Sequence, residues 1–73
     1  MTTSKTLVTL ATLATTEAVN RYTAYKSADK KKETAGACIR RACDLVYNCK
    51  CPNETTYIGA LSAAAEAITL LSM

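Results

Sequence analysis

The sequence predicts an all-α protein, a helical hairpin or three-helix bundle with helices at about residues 4–30, 35–48 and 54–72. Apolar side chains recur every three or four residues, which is the period of an α-helix. No stretch shows the alternation with a period of two that is typical of a β-strand. The single proline, Pro52, stands in a short polar segment where two helices would meet.

The composition predicts one small domain over residues 1–73 with a thin core. The 73 residues include 13 Ala and 12 Thr, but only 13 Leu, Ile and Val together, and no Phe, Trp or His. A domain of this size buries only about 60% of its unfolded surface. We therefore expect the core to be completed by a homo-oligomer or by a partner protein.

The first predicted helix has an apolar stripe and an opposite face rich in Thr, which is a mediocre helix former. Thr2, Thr3 and Ser4 are candidate caps at its start. Residues 30–36 interrupt the stripe, with Thr34 as a candidate cap for the next helix. One continuous helix from residue 4 to about 48 is the alternative. The stripe consists of Leu7, Leu10, Ala11, Ala14, Ala18, Tyr22 and Tyr25.

The second and third predicted helices form an αα-hairpin with its turn at residues 49–53. Pro52 cannot continue a helix, and Asn53 is a favourable N-cap with Glu54 in the first turn. The alanines of the third helix would allow close approach of neighbouring helices. The apolar faces consist of Ile39, Ala42, Cys43, Leu45 and Val46 in the second helix, and of Tyr57, Leu61, Ala64, Ile68 and Leu71 in the third.

The four cysteines, Cys38, Cys43, Cys49 and Cys51, are an even number in a short chain, which is typical of disulfide-stabilised scaffolds. Helical spacing argues against two disulfides, since five residues of helix rise about 7.5 Å, beyond the usual Cα separation of a disulfide. The alternatives are buried or half-buried free thiols, one local disulfide in the turn, inter-chain disulfides, or a four-thiolate zinc site.

Positive charge is concentrated in the middle of the chain. Residues 21–41 carry a net charge of +5 and the rest carries −2, which gives the total of +3. This cluster favours an anionic partner. Tyr rings stack on bases, whereas Arg and Lys bind phosphates; alternatively, the Tyr residues pack in the core and the bases form a solvated face. The candidate ligand-binding residues are Arg21, Tyr22, Tyr25, Lys26, Arg40 and Arg41.

The sequence predicts a protein that is not an enzyme and that uses no cofactor. It has no His, which is the usual general base and a common metal ligand. It has no glycine-rich phosphate loop, no nucleophile-elbow motif and no paired carboxylates. No run of 18 apolar residues exists, so we expect no membrane-spanning helix.

The hairpin resembles a known family. The residues concerned are Pro52-Asn53-Glu54 and the run from Ala60-Leu61-Ser62 to Glu66-Ala67-Ile68. They are similar to the closing hairpin of phage anti-defence proteins, small helical oligomers that sequester the cyclic-nucleotide signals of the bacterial CBASS and Thoeris systems. The sequence lacks the first Glu and the following Trp of that pattern. The resemblance implies a viral inhibitor that binds a cyclic nucleotide.

The leading hypothesis is thus a non-enzymatic helical oligomer that sequesters an anionic ligand or partner. The alternatives are a structural subunit of a larger assembly, a basic nucleic-acid-binding module and a secreted, cysteine-stapled effector. The N-terminal apolar run imitates a signal peptide only loosely, because Thr residues weaken it and residues 15–18 are a poor cleavage site. We therefore expect a cytoplasmic location, in a host cell if the protein is viral.

Overall fold

The computed structural model describes residues 5–72, which form three α-helices and no strand. Helix α1 spans Lys5–Ala24, α2 spans Lys30–Cys43 and continues into a π-helical turn at Asp44–Asn48, and α3 spans Glu54–Ser72. The predicted all-α three-helix bundle is confirmed. The candidate caps Thr2, Thr3 and Ser4 lie outside the described residues.

The boundary between α1 and α2 differs from the prediction. The first helix ends at Ala24 rather than at about residue 30, the second begins at Lys30 rather than at 35, and the single continuous helix is wrong. Asp29 causes the difference, since its carboxylate accepts the backbone N–H of Lys32 at 3.1 Å and caps α2. Thr34 therefore lies inside α2 and is not its cap.

The loop at 49–53 and the helix after it agree with the prediction. Oδ1 of Asn53 accepts the backbone N–H of Thr56 at 3.0 Å, and Oγ1 of Thr56 accepts the backbone N–H of Asn53 at 3.2 Å. This reciprocal pair satisfies donors that the start of a helix leaves without partners. The position of Asn53 after Pro52 therefore fixes the start of α3.

Helix α3 packs against both α1 and α2, which contact each other less. The side chains of Arg21 and Ser72, near the ends of α1 and α3, form a hydrogen bond, so these two helices run parallel. At the other end, Leu7 of α1 and Leu45 of the π-helical turn pack against a cluster that contains Tyr57 of α3. Helix α2 therefore runs antiparallel to both, in an up-down-up arrangement.

Small side chains form the core, as the composition predicts. The largest fully buried side chain is Thr15, whose hydroxyl donates to the carbonyl oxygen of Ala11 at 2.8 Å. Four buried alanines line α3, which lets the neighbouring helices approach closely. The buried apolar residues are Ala11, Ala18, Ala35, Cys38, Ile39, Ala42, Tyr57, Ala60, Ala63, Ala64, Ala67 and Leu71.

The prediction for the face of α1 is wrong at two positions. Leu10 of the predicted stripe is half exposed, and Thr15 from the Thr-rich face is buried. A helix that lies against alanines accepts a side chain of the size of Thr, and the bond to Ala11 satisfies its hydroxyl. Leu13, at 60% exposure, also points away from the core. No helix within residues 5–72 combines the length and the hydropathy needed to cross a membrane.

Candidate anion-binding site

Tyr22, at the end of α1, packs on Gly36 of α2. A Cβ atom placed on Gly36 would lie 3.2 Å from Cε2 of the Tyr22 ring and 3.4 Å from its hydroxyl oxygen. The 3.2 Å distance to Cε2 is shorter than the optimal separation of carbon atoms, which is about 3.5–4.0 Å. The absence of a side chain at position 36 therefore makes room for the ring between α1 and α2.

Lys32 brings a positive charge to the same ring. Its ammonium nitrogen lies 5.0 Å from the centroid of Tyr22, within the range of a cation–π interaction, and donates a 3.4 Å hydrogen bond to the carbonyl oxygen of Tyr25. The Lys32 side chain is only half-buried. A ligand could therefore reach the ammonium group from the solvent side.

Two neighbouring depressions open to solvent beside this ring, and Tyr22 and Glu33 line both. The first has a volume of about 380 Å³ and is also lined by Ala28, Asp29 and Lys32. The second has a volume of about 390 Å³ and is also lined by Gly36, Ala37 and Arg40. Together they place an aromatic ring, two cations and two carboxylates on one surface.

The structure brings together only part of the predicted site. Tyr22 and Arg40 line the second depression. Tyr25 instead donates its hydroxyl hydrogen to Asp29 at 3.0 Å, which raises the pKa of the phenol. The pKa of Asp29 is lowered, mainly because its carboxylate accepts the backbone N–H of Lys32. Tyr25 thus supports the loop between α1 and α2, where Lys26 is exposed.

Arg21 and Arg41 line neither depression. Arg21 forms a 3.0 Å ion pair with Glu17 and donates a 2.9 Å hydrogen bond to the hydroxyl of Ser72. Arg41 is exposed on α2; burial raises the pKa of the Cys38 thiol, and the charge of Arg41 opposes part of this shift. These two arginines of the predicted site are therefore not brought together with Tyr22 and Arg40 in the depressions.

Most of the basic cluster has no acidic partner in the part of the chain that the structure describes. Within residues 5–72, the pair of Arg21 and Glu17 is the one ion pair with an N–O distance below 4.0 Å. The exposed cations that make no such pair are Lys26, Lys30, Lys31, Arg40 and Arg41. They leave the loop between α1 and α2 and the exposed side of α2 with an excess of positive charge, which favours an anion.

The sequence analysis missed Lys32, Glu33 and Gly36 as residues of the site. Lys32 and Glu33 stood within the charged segment that was interpreted as a break between helices. Gly36 showed no motif that would connect it to Tyr22, fourteen positions earlier in the chain. The N-cap at Asp29 was the available signal, because it starts α2 five residues earlier than expected and so brings these residues onto its first turns.

All four cysteines are free thiols. Cys38 is buried and donates a 3.4 Å hydrogen bond to the carboxylate of Glu66, and burial is the main cause of its raised pKa. Cys43 is half-buried, whereas Cys49 and Cys51 are exposed, so the description as buried thiols holds for the first two only. In residues 5–72 no group of three or more His, Cys, Asp or Glu could share a metal ion. The four thiols therefore do not converge.

No protein family, curated protein or solved structure that was compared with the chain matches it.

Proposed function

We propose that this chain is a small, non-enzymatic helical module that binds an anionic ligand in the two depressions beside Tyr22. The observation that carries the proposal is the contact of the Tyr22 ring with Gly36 and Lys32, next to Arg40. The two cations, Lys32 and Arg40, both belong to α2 and are about two helical turns apart. An anionic group in the second depression would receive charge-assisted hydrogen bonds from Arg40.

The carboxylate of Glu33 narrows the chemistry of this ligand. Because Glu33 lines both depressions, a simple polyanion would be repelled at their centre. A ligand that also carries hydroxyl or amino groups would instead donate hydrogen bonds to this carboxylate. A nucleotide combines phosphates, sugar hydroxyls and an aromatic base, so it satisfies Arg40, Glu33 and Tyr22 together.

A cyclic nucleotide is the specific ligand that we propose, in line with the resemblance of the hairpin to phage anti-defence proteins. In this role the protein would sequester a signal of bacterial defence in the cytoplasm of the host cell. Lys32 lies near the Tyr22 ring, so base stacking on the face that Lys32 covers requires its side chain to move aside. Flexible lysine side chains make such movements on a nanosecond timescale.

Calorimetry with a panel of cyclic nucleotides tests this proposal. In Arg40→Gln the loss of a charge-assisted hydrogen bond, worth about 1.5–3 kcal/mol, should weaken binding at least tenfold. Lys5→Gln is the matched control, because it removes one exposed positive charge at the opposite end of the bundle and should change affinity less than twofold. The proposal fails if no nucleotide produces heat, or if both variants weaken binding equally.

Nucleic acid is the competing anionic partner, and salt dependence separates it from a small ligand. Binding that neutralises many phosphates loses several orders of magnitude in affinity between about 50 and 200 mM salt. A single nucleotide on Arg40 and Lys32 should lose far less over this range. A steep salt dependence together with a gel shift of DNA or RNA would reject the nucleotide in favour of nucleic acid.

A structural role in a larger assembly is the second candidate function. It is favoured by large apolar side chains that are left exposed, above all Leu10 and Leu13 on the outer side of α1. Copies of the chain, or a partner protein, would bury such a surface in an oligomer. Light scattering gives the assembly mass, and a monodisperse monomer at micromolar concentration would reject this role.

A further inference from the structure

The loop between α2 and α3 presents a pair of thiols that the proposed anion site does not use. Cys49 and Cys51 are exposed and form no disulfide, and only Lys50 separates them. Cys38 is buried beside Glu66, and Cys43 is half-buried on α2. The two loop cysteines are thus the exposed thiols within residues 5–72.

Local structure holds both ends of this loop. Cys49 is extended, with φ −75° and ψ 127°, and the chain bends at Lys50 and Cys51. Before the loop, the amide of Asn48 donates a 3.1 Å hydrogen bond to the carboxylate of Asp44 in the π-helical turn. After it, Pro52 restricts the backbone and Asn53 caps α3. The two thiols are therefore carried by a short segment that is anchored on both sides.

The spacing suits one ion held by two sulfurs. Two residues of chain span at most about 7 Å between Cα atoms, even when fully extended. Two metal–sulfur bonds of about 2.3 Å separate the sulfur atoms by up to about 4.6 Å. The rotatable cysteine side chains can bring the two sulfur atoms closer together than the two Cα atoms when both thiols turn to the same side of the loop. The bend at Lys50 shortens the distance between the two Cα atoms further.

We propose that Cys49 and Cys51 form a two-thiolate site for a soft monovalent metal ion, for which Cu(I) is the probe. Thiolates are the ligands that select Cu(I), whereas a structural zinc site requires four ligands. Binding releases one proton from each thiol, and the Cu(I) dithiolate carries a charge of −1. The ammonium group of Lys50, which lies between the two cysteines in the sequence, balances this charge.

Anaerobic titration of the reduced, full-length protein against a chromogenic Cu(I) chelator tests this site. We expect the wild-type chain to withdraw one Cu(I) per chain from the chelator. The double variant Cys49→Ser/Cys51→Ser should not withdraw it. Cys43→Ser should bind as the wild type does, which makes it the matched control for the loss of a thiol. Because the loop cysteines are exposed, the double variant should retain the helical circular dichroism spectrum, and the same spectrum verifies that Cys43→Ser, at a half-buried position, is folded.

Four results would overturn the proposal. The first is a wild-type chain that does not compete with the chelator, and the second is a double variant that binds Cu(I) as tightly as the wild type does. The third is a Cys43→Ser variant that no longer binds Cu(I). The fourth is a stoichiometry of one Cu(I) per two chains, since the ion would then bridge two molecules. The site is independent of nucleotide binding, so a failed nucleotide titration leaves this test unaffected.

Discussion

The contact between Tyr22 and Gly36 gives a prediction whose size follows from the structure. Alanine is favoured over glycine inside a helix by about 1 kcal/mol. At position 36 the new Cβ would lie 3.2 Å from Cε2 of Tyr22, so the ring must move. Overpacking of this kind typically costs about 1–3 kcal/mol. We therefore expect Gly36→Ala to range from neutral to a loss of about 2 kcal/mol in the free energy of unfolding.

Gly59 of α3 provides the matched control. A Cβ atom there would lie 3.4 Å from Cδ1 of Leu45, an ordinary van der Waals contact with a flexible side chain. Gly59→Ala should therefore keep most of the gain in helix propensity, about 0.5–1 kcal/mol. In a domain of this size, 1 kcal/mol corresponds to a change in Tm of about 4–8 °C. The two variants should thus differ clearly in thermal unfolding followed by circular dichroism.

A double-mutant cycle assigns the difference to the ring. Tyr22→Leu keeps an apolar side chain but removes the edge that approaches Gly36. In that background, Gly36→Ala should become stabilising, with a coupling free energy of about 1 kcal/mol or more by urea denaturation. Two results would contradict this reasoning: Gly36→Ala that stabilises the wild-type protein as much as Gly59→Ala does, or a coupling free energy below about 0.3 kcal/mol. Either result would mean that Tyr22 does not pack on Gly36, and the proposed site would lose its central contact.

Three further results are expected. Asp29→Ala should lower Tm by a few degrees because α2 loses its N-cap. The backbone N–H of Lys32 lowers the pKa of Asp29 from 3.8, so the stability of the wild-type protein should also fall on acidification below about pH 4. The stability of Asp29→Asn should fall less over the same pH range. Ala64→Leu should destabilise the bundle by about 1–3 kcal/mol in urea, whereas Ala65→Leu, on the exposed side of α3, should change little. Iodoacetamide should label the two loop cysteines first and Cys38 last, as followed by mass spectrometry, because Cys38 is buried and its pKa is raised.

Local signals explain which helices could be placed from the sequence. Pro52 and Asn53 act on their own neighbours in the chain, so the start of α3 was predictable without knowledge of packing. Asp29 is an equally local signal, but the sequence analysis considered only Thr34 as a cap and placed the boundary by the interruption of the stripe at residues 30–36. The signal for the boundary between α1 and α2 was thus present in the sequence and was missed.

The candidate site was less predictable, because its members belong to different helices. Periodicity places Tyr22 on one face of α1, but it carries no information about which residue of α2 lies opposite. Arg21 and Arg41 show the converse, since they share a charged segment with the site yet line neither depression, and Arg21 pairs with Glu17 instead. Selection by proximity in sequence therefore included Arg21 and Arg41, which line neither depression, and left out Lys32 and Glu33, which line at least one.

The sequence by itself determined that this chain is helical, that its core is made of small residues and that its positive charge is concentrated between residues 21 and 41. These properties depend on composition and on the period of the helix. Only the tertiary structure decided that Thr15 is buried while Leu10 is half exposed, and that Tyr22 packs on Gly36. The physical reason is that Ala and Thr differ little in size, so close packing against the alanines of α3, rather than hydrophobicity, selects the face of α1 that becomes buried.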